Sequence, residues 1–207
     1  MKKIFIIFTC TLLLSSTGFA NDIQNEAMDS LATARDFVKA GNYNKAVDEI
    51  NYALAKINEL TADTLLKFIP AAPDGYTLNN KQSQGVGAGA SIAGNAGATA
   101  QYSAADGAAI DLNIIIGGVT GKIAGLAAFG SMFAGLAQDA DMGQTKKIRV
   151  HGYTGTQIFN AKERTGTLTF QVGQKTSVTI DGKGVSSPAP LLAIAKSINF
   201  AELEKNY

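Results

Sequence analysis

The residues able to do chemistry in this chain are few, and their types exclude more than they suggest. There is one histidine and one cysteine in 207 residues. A Ser-His-acid triad would have to use His151, which precedes Gly152 at the end of an alternating run and is expected to point to solvent. A zinc centre built from imidazoles and thiolates has too few ligands. The run Gly117-Gly118-Val119-Thr120-Gly121-Lys122 follows a strand-like segment, as a phosphate loop does. Its first glycine sits one position too close to Lys122, however, and Ile123 stands where the magnesium-holding Ser or Thr belongs. Asp139-Ala140-Asp141-Met142-Gly143 has the first acidic positions of a calcium loop but lacks the third and the distant Glu, so a solvated turn is expected. Two carboxylates meeting in space stay open, because spacing in sequence does not report it. The chain is therefore expected to be non-enzymatic, with no catalytic, cofactor-binding or metal-binding residue and no cofactor.

Lys2-Lys3, an apolar run from Ile4 to Leu14 and small residues at Gly18 and Ala20 have the form of a secretory leader spanning 1–20, with cleavage expected between Ala20 and Asn21. The run is too short to span a bilayer, which needs about 20 apolar residues. Cys10 lies within it behind bulky Ile7-Phe8-Thr9, which disfavours a lipoprotein reading. The rest of the chain has no cysteine, so a periplasmic or secreted product must hold its core without disulfides. Lys and Arg number 18 against 17 Asp and Glu. Without a basic excess, a nucleic-acid partner is not expected.

Ile23, Ala27, Leu31, Ala34 and Val38 recur at helical spacing, and Gly41 can end that helix. Asn42 can cap a second, whose inner face reads Ala46, Val47, Ile50, Ala53, Leu54, Ile57 and Leu60. These predict an antiparallel αα-hairpin over 21–69. Thr61–Ile69 continues as a short helix that Pro70 stops. The hairpin resembles one tetratricopeptide unit through Ala34, Gly41, Tyr43, Ala46, Ala53 and Leu54, but one copy cannot make a stacked array.

Residues 70–207 are predicted as an α+β domain. Pro70–Tyr76 is a turn-rich connector, and the Gly/Ala/Ser tract at 85–98 is expected to be a mobile loop. Thr99–Ala104 is a weak strand and Ile110–Ile116 a strong one. Gly117–Ala137 is small-residue and apolar, and is expected to lie on the sheet as a helix. Ile148 and Val150 mark another strand, which Gly152–Gly155 breaks, and Thr156–Ala161 a further short one. In Gly166–Gly184, Leu168, Phe170, Val172, Val178 and Ile180 alternate with polar residues around Gly173-Gln174-Lys175, the pattern of an antiparallel hairpin with one buried face. Pro188–Phe200 is amphipathic through Leu191, Leu192, Ile194, Ala195 and Ile198, able to cover the sheet. Strands flanked by helices imply an antiparallel meander packed by helices.

The order LLKFIPAAPDGYT (Leu65–Thr77), two strands, a small-residue helix, GTLTFQVGQKTSVTIDGKG and a closing helix resembles a group of small bacterial exported proteins. Its strand order is similar to the PsbP-like α/β/α sandwich. The likeness covers roughly residues 23–203 and implies that fold and export, with no functional residues attached. The expected function is an exported binding or accessory module contacting another protein or a small ligand in the cell envelope. The alternative is a membrane-active protein inserting 117–137.

Overall fold

The computed structural model describes residues 17–85, 96–117 and 144–207. Most of the leader, the centre of the Gly/Ala tract, the apolar run after Gly117 and the Asp139–Gly143 turn lie outside the described residues.

Two helices come first, α1 (Thr17–Lys39) and α2 (Tyr43–Leu65), with a 3-10 turn at Leu66–Phe68 before Pro70. Gly41 ends α1 at φ +72°. Its amide donates to the Val38 carbonyl and that of Asn42 to Phe37, the paired bonds that close a helix through a left-handed residue. Asn42 precedes α2 as expected, but its side chain makes no capping bond.

Seven strands follow: β1 (Tyr76–Gly85), β2 (Ala96–Ala104), β3 (Ala109–Ile116), β4 (Gln144–Val150), β5 (Tyr153–Asn160), β6 (Thr165–Val172) and β7 (Thr176–Lys183). They form one antiparallel sheet in the order β1-β2-β3-β7-β6-β5-β4. The fold is α+β. The Gly166–Gly184 hairpin is β6 and β7, and β7 pairs with β3, which puts the strongest alternation of the sequence at the middle of the sheet. Leu168, Phe170, Val172, Val178 and Ile180 are all buried on one face, as their alternation predicts.

Helices α3 (Ala189–Ser197) and α4 (Phe200–Asn206) close the chain. They cover that same face with the end of α2, and Ala62, Leu65, Tyr102, Leu112, Phe170, Leu191, Ile194, Phe200 and Leu203 belong to one core. The single closing helix read from Pro188–Phe200 is thus two. Ile198 is extended between them, and Asn199 caps α4 by accepting from the Glu202 amide at 3.1 Å.

Four further expectations are corrected. Strand β1 gave no signal, because an edge strand with one side in water and polar TLNNKQSQ has no apolar alternation to show. Of the tract 85–98 expected as a loop, the described residues are strand instead: Gly85 ends β1 and Ala96–Ala98 begin β2. The break at Gly152–Gly155 shrinks to His151–Gly152. Both have positive φ (+50° and +89°), so the chain reverses in two residues and Tyr153–Gly155 stay in β5. Gly155 lies there because a Cβ would come within 2.6 Å of the Phe170 ring.

The fourth correction concerns the hairpin seam. The residues buried along it are small, Ala27, Ser30 and Ala34 on α1 and Ala46 and Ala53 on α2, whereas Leu31, Val38, Val47, Ile50, Leu54 and Ile57 are exposed. Alanines let the helix axes approach, and the larger apolar residues are displaced to the flank. Helical spacing identified the amphipathic stripe but placed its centre about one residue too far along.

Candidate functional site

Each helical residue turns about 100° from the last, so the residues one position after the seam lie beside it. In an antiparallel pair the two such flanks fall on the same side of the hairpin. The opposite flank fixes the geometry. There Glu26 accepts from the Tyr52 hydroxyl at 3.0 Å and pairs with the Lys56 ammonium at 2.8 Å, and both bonds hold its carboxyl below the usual range. Lys45 stands 5.5 Å over the Phe37 ring on that side.

The first flank therefore gathers Met28, Leu31 and Val38 of α1 with Tyr43, Val47, Ile50, Leu54 and Ile57 of α2. Tyr43 is 67% exposed, Met28 60% and Leu54 40%. With Tyr52 added, these are all the large hydrophobic side chains found exposed among the described residues. Scattered exposed apolar residues are ordinary, but a contiguous face of them marks an interaction surface. The α2 residues recur at steps of four and three, the spacing of a coiled-coil seam, and Thr61 and Thr64 continue it. No charged residue of α2 falls on the stripe. On α1, Arg35 and Lys39 lie with the flank residues, and both pair with Asp36, at 3.1 and 3.5 Å.

A second arrangement lies on the sheet face opposite the core, where no helix packs among the described residues. Asn80, Gln101, Asp111, Asp181 and Thr167 stand side by side across β1, β2, β3, β7 and β6. The structure thus brings together two carboxylates that the sequence could not place. Burial pushes the Asp181 carboxyl up, and facing Asp111 adds to this. The Thr167 hydroxyl, donating at 2.7 Å, and Lys183 act the other way. Gln101 donates to Asp111 at 3.2 Å. The row borders a shallow depression of ≈ 440 Å³ lined by Thr99, Asn113 and Gln82. Among the described residues it offers carboxylate and amide hydrogen-bonding groups beside the Thr99 and Thr167 hydroxyls. Among the described residues no group of three or more His, Cys, Asp or Glu could hold a metal.

His151 is exposed, as its sequence position suggests, but its ring is engaged. Its Nε2 lies 2.6 Å from the Lys196 carbonyl, and its ring meets Phe200 edge-on at 6.5 Å, which ties the β4–β5 turn to the end of α3. Ala20 and Asn21, the expected cleavage pair, fall within the first turns of α1. No helix among the described residues is long and apolar enough to cross a membrane.

No family model, curated protein or solved structure matches the chain.

Proposed function

We propose that this protein is an exported, non-enzymatic binding module that works by docking the apolar flank of its helical hairpin onto a protein surface. The observation that carries this reading is the concentration of exposed large hydrophobic side chains on one flank. Leaving them in water is unfavourable by roughly 25 cal/mol per Å² of apolar surface. Because the seam uses alanines, the larger residues are free to meet a partner.

The partner's chemistry follows from the stripe. It is uncharged and heptad-spaced along α2, which suits an apolar, uncharged helix laid alongside with its side chains between those of the stripe. The basic, apolar start of the sequence supports export. The engagement of the His151 Nε2 with the Lys196 carbonyl favours binding over catalysis.

A photoactivatable residue at Leu54 in the producing cell tests this, with one at Glu59, off the stripe, as control. A discrete protein adduct is expected from Leu54 only, and Ile50→Asp should abolish it. Adducts to lipid alone, or equal adducts from both sites, would overturn the docking reading.

A further inference from the structure

We propose that the outer edge of β4 is a second docking site, independent of the hairpin flank, which takes an extended acidic segment of another protein as an added antiparallel strand. The order β1-β2-β3-β7-β6-β5-β4 leaves the sheet two edges, β1 and β4. An edge strand presents unpaired amides and carbonyls, which proteins blunt with bulges, covering elements or charge. Edge β1 uses the first two. Its register shifts between Leu78 and Asn80, α2 packs against it, and the Ser83 hydroxyl donates to Asp63. Strand β4 is different. It pairs with β5 without a register shift from Gln144 to Val150, and no described strand pairs with its outer side.

The turn after β4 fixes which backbone groups face outward. His151 and Gly152, both at positive φ, make a two-residue hairpin loop, so the flanking Val150 and Tyr153 face each other as a hydrogen-bonded pair. Successive residues of a strand direct their backbone groups to opposite sides. Ile148 and Lys146 therefore bond toward β5 as Val150 does, and Thr145, Lys147 and Arg149 turn their amides and carbonyls outward.

The same edge carries unbalanced positive charge. Lys147 and Arg149 lie on the open face of the sheet and Lys146 on the other, and all three are exposed. Their cross-strand neighbours on β5 are Thr156, Thr154 and Gln157, none of them acidic. Arg35, Lys39, Lys56 and Arg164 have carboxylate partners, but no ion pair joins the three β4 cations to a described residue. Like charges set opposite one another are unfavourable, which keeps the β4 edge of a second copy away. An acidic strand meets both the charge and the backbone. Each outward residue of β4 would exchange two backbone bonds with the residue opposite, at a Cα separation of about 5.5 Å. Acidic residues two apart in the added strand then stand against Lys147 and Arg149 together. Backbone bonds supply the attachment and the paired charges the selection, as in other cases of strand addition.

Fluorescence anisotropy with the full chain tests this, the probe being a short labelled peptide of alternating glutamate and valine with blocked ends. Saturable binding at low salt is expected. Lys147→Glu with Arg149→Glu should weaken it about tenfold or more and create binding to a peptide with lysine in place of glutamate. Lys81→Glu with Lys175→Glu changes the net charge equally away from β4 and should leave the affinity within about twofold. N-methylating alternate amides of the peptide keeps its charge and removes its donors, so binding to the unaltered protein should also fall about tenfold or more. Amide exchange at Lys147 and Arg149 should slow in the complex, while Ile148, already bonded toward β5, is unchanged. Absence of saturable binding, equal binding of the N-methylated peptide, or a charge-reversed variant that binds like wild type overturns the proposal.

Discussion

Ala53 and Leu54 are neighbours on α2 with inverted roles, and exchanging their sizes one at a time tests the hairpin's geometry. Ala53 is fully buried against α1 and Leu54 is 40% exposed. Ala53→Leu forces extra methylenes into a seam built of alanines. Overpacking of this kind costs about 1–3 kcal/mol, and the upper half applies where both surfaces are helix backbone with little room to yield. Leu54→Ala removes a side chain that has already kept much of its area in water. Full burial of a Leu is worth about 1.5–3 kcal/mol, so with 40% of Leu54 exposed about 1–2 kcal/mol is at risk here. For a domain of this size, 1 kcal/mol moves Tm by roughly 2–4 °C. The expected melting curves at sub-micromolar concentration are therefore a fall of about 4–12 °C for Ala53→Leu and a smaller one of about 2–7 °C for Leu54→Ala. Hydrogen exchange should show faster exchange in α1 for Ala53→Leu alone, because α1 packs chiefly on α2. If Leu54→Ala is the more damaging, the seam has been assigned to the wrong face and the exposed stripe does not exist.

Asp181 has a folded-state pKa raised by burial and by Asp111, so the native state holds its proton to higher pH than the unfolded chain. Stability should fall as pH rises from the ordinary carboxylate pKa through the raised one, and Asp181→Asn should flatten that limb of a Tm-against-pH profile; an unchanged profile would contradict the assignment. Tyr102 is buried with its hydroxyl donating to the Pro70 carbonyl at 2.9 Å, and burial pushes its pKa up to about 12. Tyr102→Phe leaves that carbonyl without its partner and should lower stability by about 1–3 kcal/mol in denaturant titration, against near-neutrality if the bond carries nothing. Val178→Asp sets an unpaired carboxylate in the core and should cost several kcal/mol, while Thr179→Asp on the open face should be far milder; equal melting temperatures would refute the strand phase.

The sequence was most legible where side-chain period and burial agree. In β6 and β7 every second residue faces the core, so alternation alone located the hairpin, its turn and its inner face. Strand β1 was invisible because an edge strand's polar residues resemble a loop, and only pairing with β2 reveals it. The hairpin was legible as two helices, from Gly41 and the helical period. Its inner face was legible only in part: Ala27, Ala34, Ala46 and Ala53 are buried as expected, but the larger residues read with them are not, because ranking by hydrophobicity favours Leu and Ile over Ala, whereas close helix packing favours the small residue. That one error conceals the candidate surface, since residues assigned to a seam are not available to a partner. Asp111 and Asp181 stand 70 residues apart in sequence and meet only because β7 returns beside β3, which no local pattern encodes.

The central claim is that the Val47–Ile57 flank is covered by protein when the molecule is at work. Side-chain footprinting by carbene or hydroxyl radical, run both in the producing cell and on dilute purified protein, reads this directly. Val47, Ile50, Leu54 and Ile57 should be modified in the dilute protein and protected in the cell, while Glu59 on the other flank is modified alike in both. Equal modification of the stripe in the two settings would contradict the account.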